Sequence, residues 1–320
     1  MIYFSEMKTI ILLYCIFFSV NCNAQRTEKF YDYLWRPSTI DKAVYFSVRE
    51  PAGDVFHQTD YYIRESKLQM DGYYKDTAGK IKHGDFHYYY PGGITETISN
   101  YVDNKLNGVY MHFHNNGMMS DSANYINGNT IGNSFSWFPD GMTEDSTFKR
   151  EDGSGTSISW HSNGQPAAAG MYGVGGKKIK TWQYFHFNGN LSAKEKYEDG
   201  KLIDKSYYDE NGNLESDTTS IDREVSFPGG IKAWQKFIYK RAYFPEGWKI
   251  VNTDAVVVVV TATVDEEGNI KDAYVSTPFH PDFDKIALKA LIGAPKWLPA
   301  ISHHRKVQAS FRQPITFQQQ

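Results

Sequence analysis

From Gly84 to Leu214 the chain runs in short stretches of alternating aromatic and polar residues, each closed by a turn signal. The signals are Gly92-Gly93, Asn116-Gly117, Asp140-Gly141, Asn163-Gly164, Asn188-Gly189 and Asn211-Gly212. Their second glycines are 24, 24, 23, 25 and 23 residues apart. A fixed period in this range marks one supersecondary unit copied in series. Four residues before each turn glycine stands an aromatic: Tyr89, Phe113, Trp137, Trp160, Phe185 and Tyr208. Eight residues after it stand Tyr101, Tyr125, Tyr172 and Tyr197, with Lys149 beside Phe148 in the third unit. Asn-Gly and Asp-Gly suit the two positive φ angles of a type I′ turn, and aromatics suit a pleated, half-buried surface. The pattern predicts β-hairpins. A lone hairpin is marginal in water, so neighbouring units are expected to stack their aromatic columns into a shared core.

Ahead of this array, Ala43–Val48, Val55–Ile63 and Leu68–Tyr74 alternate as strands, and Tyr61-Tyr62 with Gly72-Tyr73-Tyr74 forms a degenerate copy of the unit. Residues 25–83 are therefore expected to cap an array spanning 84–215. Residues 216–225 are polar, lose the period and predict a linker. The pattern then changes. Gly229-Gly230 opens a helix with Ile231, Trp234, Phe237 and Ile238 on its apolar side. Ala255–Val264 is a nearly unbroken β-branched run, the mark of a buried strand. Ile270–Ser276 returns as a strand. His280-Pro281 opens a second helix with Phe283, Ile286, Ala287, Ala290 and Leu291 on one face. Lys306–Phe317 is the final strand, and Pro314 places it at a sheet edge. The fold expected is a mainly β repeat array, an antiparallel hairpin meander. A small α+β C-terminal domain over 226–320 follows, in the order α-β-β-α-β, with a three-stranded antiparallel sheet.

The repeat pattern Gly-x-Tyr/Phe-x-x-Tyr/Phe-x-x-x-Gly, best copied in Gly108-Val-Tyr110-Met-His-Phe113-His-Asn-Asn116-Gly117, resembles a MORN-type repeat. The last part of the chain resembles the C-terminal domain of TonB-type energy transducers. The matching stretches are Phe227-Pro-Gly-Gly230, Val264-Asp-Glu-Glu-Gly268-Asn-Ile270, His280-Pro281, Pro295-Lys-Trp297-Leu-Pro299 and Pro314-Ile-Thr-Phe317. That resemblance implies a periplasmic domain that contacts outer-membrane receptors, a receptor segment adding as a strand beside the last strand. Three features depart from it: Phe244 stands between Tyr243 and Pro245, the glycine usual before the first strand is replaced near Asp254, and a polar match near Arg241 is missing.

Residues 1–24 read as an export signal: Lys8, an apolar run from Thr9 to Val20, then Cys22-Asn23-Ala24 before a cut at Gln25. The alternatives are an uncleaved anchor and a lipoprotein modified at Cys22. Cys15 and Cys22 are the chain's only cysteines, so a cleaved protein would hold no disulfide and no cysteine metal site. The formal net charge of −3 gives no basic surface for nucleic acid. His114, His161 and His186 share a column, but Phe138 interrupts it and planar residues in an aromatic ladder account for it. No metal and no cofactor are expected. Gly173-Val-Gly175-Gly176-Lys177 lacks the Gly-Lys-Ser/Thr ending of a phosphate loop. Glu144, Asp145, Glu151 and Asp152 read as solvated turn residues, and no enzyme motif is present.

The function expected is a non-enzymatic periplasmic interaction protein, linked to transmembrane transport, that takes a partner by strand addition. The partner would be an outer-membrane receptor or another envelope protein. Its partner-binding residues would be Arg305, Val307, Gln308, Ala309, Ser310, Phe311, Arg312 and Gln313, with Arg305, Lys306 and Arg312 favouring an acidic segment. A homodimer could cover the same edge. The alternatives are a membrane-anchored energy transducer and a repeat-based envelope scaffold.

Overall fold

The computed structural model describes residues 26–251 and 253–319, so the leader expected in 1–24 lies outside the described residues. The chain is mainly β. A long antiparallel hairpin meander precedes a small α+β lobe with a three-stranded antiparallel sheet and two helices. The meander runs from Thr27–Tyr31 to Lys201–Tyr207 as one 16-stranded sheet in which sequence neighbours pair in order, except that the short Lys105–Leu106 lies off the path and Thr95–Val102 pairs directly with Gly108–Phe113.

The turns differ from the expectation. Between His114 and Gly117 only the glycine has a positive φ, +85°. The Gly117 amide donates to the His114 carbonyl at 2.8 Å, and the His114 amide to the Met118 carbonyl at 2.8 Å. This is a type I turn followed by a left-handed glycine. Asparagine is favoured there for a reason outside the dipeptide. Asn116 Oδ1 accepts from the Met118 amide at 3.0 Å, while Nδ2 donates to the Pro139 carbonyl of the next turn at 2.8 Å. The turns with two positive φ angles lie at the opposite hairpin ends, at Asp103-Asn104, Asn127-Gly128 and Asp199-Gly200.

Three residues past each turn glycine the register slips. Glu96, Ser120, Glu144, Ala167 and Ser192 are skipped by their partner strands. Each is a β-bulge, which locally increases twist and re-aims a side chain.

The sheet has two unlike faces. One row of directly opposed residues runs Met70, Tyr88, Thr97, His112, Asp121, Ser136, Asp145, Ser159, Ala168, Tyr184, Ala193, Tyr207. This inner face carries the buried rings. Phe86, Tyr74 and Met70 form one cluster; Trp182, Tyr184 and Tyr207 belong to another. Gly72 and Gly170 make room for it, since a Cβ on either would lie 2.3 Å from Phe86 or 2.0 Å from Trp182. The column of Tyr89, Phe113, Trp137, Trp160, Phe185 and Tyr208 lies on the other face and is half-buried. Its members alternate with the buried inner residues along each strand, and no ring pair joins two of them among the described residues. Successive members sit two strands apart, about 9–10 Å, beyond the reach of ring contact. The expected shared stack is thus replaced by clusters on the inner face.

The lobe begins with α1 (Gly230–Arg241) and continues through β1 (Ala255–Val264), β2 (Ile270–Thr277) and α2 (Pro281–Ile292). Then come β3 (Ala300–Ser302), β4 (Arg305–Val307) and β5 (Ala309–Gln318). The sheet order is β2-β1-β5. Val258, Val260, Ala262 and Val264 of β1 are buried against Phe283, Ala287 and Leu291 of α2 and Ile315 and Phe317 of β5. His280 caps α2 by accepting the Asp282 amide at 3.2 Å. The final strand expected over Lys306–Phe317 is split. Arg305–Val307 pairs with β3 in a separate hairpin, and Gln308 separates it from β5. Residues 216–225 are also partly tied down, because Arg223 bridges to Ile301.

Candidate functional site

Among the described residues β5 pairs with β1 and with no other strand, which leaves its outer backbone groups without a ladder. Pro314, which lacks an amide donor, is tolerated on such an edge. The strand alternates. Phe311 turns inward, its ring 4.8 Å from that of Trp297, and Gln313 accepts the Trp234 indole N–H at 2.6 Å. Ser310, Arg312, Pro314 and Thr316 are exposed. Ser310 and Arg312 lie opposite Thr263 and Thr261 and so share the sheet face that looks toward the meander.

The eight residues expected to bind a partner do not act alike. Ala309, Ser310, Phe311, Arg312 and Gln313 lie on β5. Arg305, Val307 and Gln308 precede it in or beside the short hairpin. The Arg305 guanidinium lies over the Tyr184 ring at 5.7 Å, and burial pulls its pKa down. Lys306 Nζ is 2.9 Å from Glu210, and Gln308 donates to Glu144 Oε1 at 2.9 Å. Two of the three cations read as favouring an acidic partner, Arg305 and Lys306, are thus held against the chain's own meander.

That hairpin is the main fastening between lobe and meander. Its tip is His303-His304, with φ of 51° and 62°, a left-handed region that histidine enters more readily than most residues. The His303 ring stacks on Tyr184 at 3.8 Å and the His304 ring on Tyr207 at 4.5 Å, each tilted by 8°. His303 Nδ1–H donates to Glu195 Oε2 at 2.9 Å, and His304 Nε2 lies 3.1 Å from Glu215. Burial pushes the Glu195 carboxyl up, but hydrogen bonds from His303 and Tyr197 outweigh it and hold it below the ordinary range. The bulge residue Ser192 donates to the His303 carbonyl at 3.3 Å. Sequence reasoning missed this pair. The adjacent histidines were its only mark, since their partners lie 108 and 89 residues away.

Farther along, His161 Nδ1 meets Glu266 at 3.4 Å with both side chains buried, and the Tyr90 and Tyr274 rings meet edge-on at 5.5 Å. At the far end the Tyr45 hydroxyl lies 3.2 Å from that of Thr277, and Arg64 covers the Phe279 ring at 3.8 Å. Between these contacts a cleft of about 300 Å³ stays open, lined by His112, His114, Glu144, Asp272, Tyr274 and Ser310 among others. Burial raises the pKa of Glu96 and of Glu144. Asp121 is pushed up by burial, yet bonds from His112 and Ser120 leave it lowered. Glu144 and Asp145 are therefore not turn residues. They lie in the strand Thr143–Lys149, half-buried, where Asp145 accepts from Thr147 at 2.7 Å and Ser157 at 3.1 Å.

The histidine column has a use of its own. His114 donates to the Trp137 carbonyl at 2.8 Å, His161 to the Phe185 carbonyl at 2.9 Å and His186 to the Tyr208 carbonyl at 2.9 Å, each through Nε2–H. Tyr62 and Tyr90 do the same through their hydroxyls, to Tyr89 and Phe113. The column therefore ties each unit to the next.

The lobe's order, its aliphatic central strand and its last strand at the sheet edge agree with a known domain. The family model described as Gram-negative bacterial TonB protein C-terminal matches residues 244–318. These residues are a TonB C-terminal domain. A search of curated proteins found no match to the chain. The matched part of the TonB domain holds β1, β2, α2 and the β3–β5 strands, while α1 precedes it. TonB C-terminal domains are non-catalytic, belong to the periplasm and envelope, and bind outer-membrane receptors. Among the described residues no helix is long and apolar enough to cross a membrane.

Proposed function

We propose that this protein is a non-catalytic interaction protein of the periplasm, exported by residues 1–24. Its TonB domain takes an extended segment of an outer-membrane receptor, or of another envelope protein, onto the outer edge of β5 and so serves transport across the outer membrane. The observation that carries this reading is the outer edge of Ala309–Gln318, which pairs with β1 on one side and, among the described residues, with no strand on the other. Backbone donors and acceptors on such an edge give affinity without catalytic groups. The MORN-like meander is a rigid base for the lobe, because it meets the lobe from Tyr45 to Tyr207.

Photocrosslinking in intact cells tests the reading. Phe311 is turned toward Trp297, so the probe belongs at the exposed Thr316. The expected result is an adduct with an outer-membrane protein. Adducts formed solely with a second copy of the chain would replace the reading with a homodimer, and no adduct at all would overturn it.

A further inference from the structure

Resting on the edge reading above, we infer that the segment received beside β5 is basic, with Lys or Arg at alternate positions, and that the meander supplies the wall that selects it. A strand added to β5 continues the lobe sheet. One face of that sheet looks at the meander, since Thr261, Thr263 and Ser310 line the cleft together with His112 and Glu144. Side chains alternate along a strand, so every second residue of the guest faces the same way.

The wall they meet is acidic. Asp121 and Asp145 stand in the inner-face row, and the bulges add Glu96 and Glu144. Few cations answer them. Arg312 is the one β5 presents, and His112 is 3.1 Å from Asp121. Lys149, on the same strand as Glu144, is drawn over the Tyr172 ring at 4.8 Å. Arg305 and Lys306 are spent on Tyr184 and Glu210. Glu96 and Glu144 sit half-buried with no cation within ion-pair distance among the described residues. Burial without a counter-charge is costly for a carboxylate, and a guest ammonium or guanidinium relieves that cost. The acidic partner expected from the residues near β5 taken by themselves is thus reversed once the meander is placed beneath them. Charge complementarity of this kind governs partner choice more than raw affinity.

The test uses the purified full chain and labelled peptides as long as the ten-residue β5. Three share one alternating Val/Thr frame and differ in carrying Lys, Glu or Ser at every second position. A fourth is the Lys peptide with alternate backbone amides methylated. By fluorescence anisotropy the Lys peptide should bind about tenfold more tightly than the Ser peptide, the Glu peptide more weakly still, with the preference shrinking as salt rises. Glu144→Gln with Asp145→Asn should abolish the preference, whereas Asp85→Asn, on the other face, should leave it. Equal binding of the Lys, Ser and Glu peptides by the unsubstituted chain overturns the inference and leaves the edge reading standing. Undiminished binding of the methylated peptide overturns the inference by showing attraction without strand pairing. Binding by none of the peptides overturns the edge reading and the inference with it.

Discussion

The lobe and the meander solve the same problem with different means. The lobe has one core: thirteen buried residues, mostly aliphatic, closed between a sheet and two helices. The meander is about twice as long, yet its largest buried apolar clusters hold five and three residues. It makes up the difference with directional bonds. Turn asparagines, the Tyr/His column and cations laid over rings join each unit to its neighbour. Lys82 lies within 5.2 Å of the Phe86, Tyr88 and Tyr101 ring centres, and Lys178 within 5.3 Å of those of Trp182, Tyr184 and Tyr197. A core that closes on itself should fail as a whole; a series of nearest-neighbour links should fail locally.

The largest expected effect tests that contrast directly. Phe283 is fully buried where α2 meets β1, with rings of Phe244, Phe279 and Phe317 around it. Phe283→Ala should cost about 3–5 kcal/mol and loosen the entire lobe. Phe86→Ala removes an equally buried ring from the meander, but amide exchange should rise around residues 55–106 and stay unchanged near Tyr207. Urea unfolding gives the magnitude and hydrogen exchange the extent. A uniform rise across the meander after Phe86→Ala would show it to be one cooperative body.

A smaller effect follows from the polar character of the meander core. Asp60 is buried at 4% exposure, accepting from the Ser47 hydroxyl and from Gln58 Nε2 at 2.9 Å. Burial pushes its pKa up to about 6, only partly opposed by those bonds. The folded state therefore holds this proton more tightly than the unfolded chain does. The contribution of Asp60 to stability is therefore greatest below about pH 4, falls as pH rises toward 6, and stays lower above it. At neutral pH the carboxylate costs up to about 3 kcal/mol. Asp60→Asn keeps an acceptor for Ser47 and should raise the melting temperature at pH 7.5, with the gain vanishing near pH 4. A gain that persisted in acid would assign the effect to packing instead of charge.

How much of this could be read beforehand divides along the same line. The lobe was legible because its physics is local. The β-branched run Ala255–Val264 and the Phe283–Leu291 stripe declare burial and period by themselves. In the meander the period was legible from the Asn-Gly spacing, but the face was not. One skipped residue after each turn re-aims Glu96 and moves Glu144, which reads in the sequence as a turn residue, onto the inner face. The site was legible only in part for the same reason. Edge character followed from Pro314. The capture of Arg305, Lys306 and Gln308 depends on Tyr184, Glu210 and Glu144, whose nearness is a tertiary fact that no local pattern states.

The finest test of the comparison lies in the one break of the meander's bonded column. His114 donates to the Trp137 carbonyl, so His114→Phe should cost about 1–3 kcal/mol by leaving that acceptor unpaired. Phe138 is the natural form of that defect, a buried ring at the same position of the next unit with no donor to offer the Trp160 carbonyl. Phe138→His should restore the missing link and gain about 0.5–1 kcal/mol, the net worth of one hydrogen bond less a little lost apolar burial. The gain should appear as slower amide exchange on the two strands it joins, Asn129–Trp137 and Gly155–Trp160, more than as a shift in global unfolding. If Phe138→His instead destabilised the chain while His114→Phe left it unchanged, ring burial and not the inter-unit bond would be what holds the column, and the meander would resemble the lobe after all.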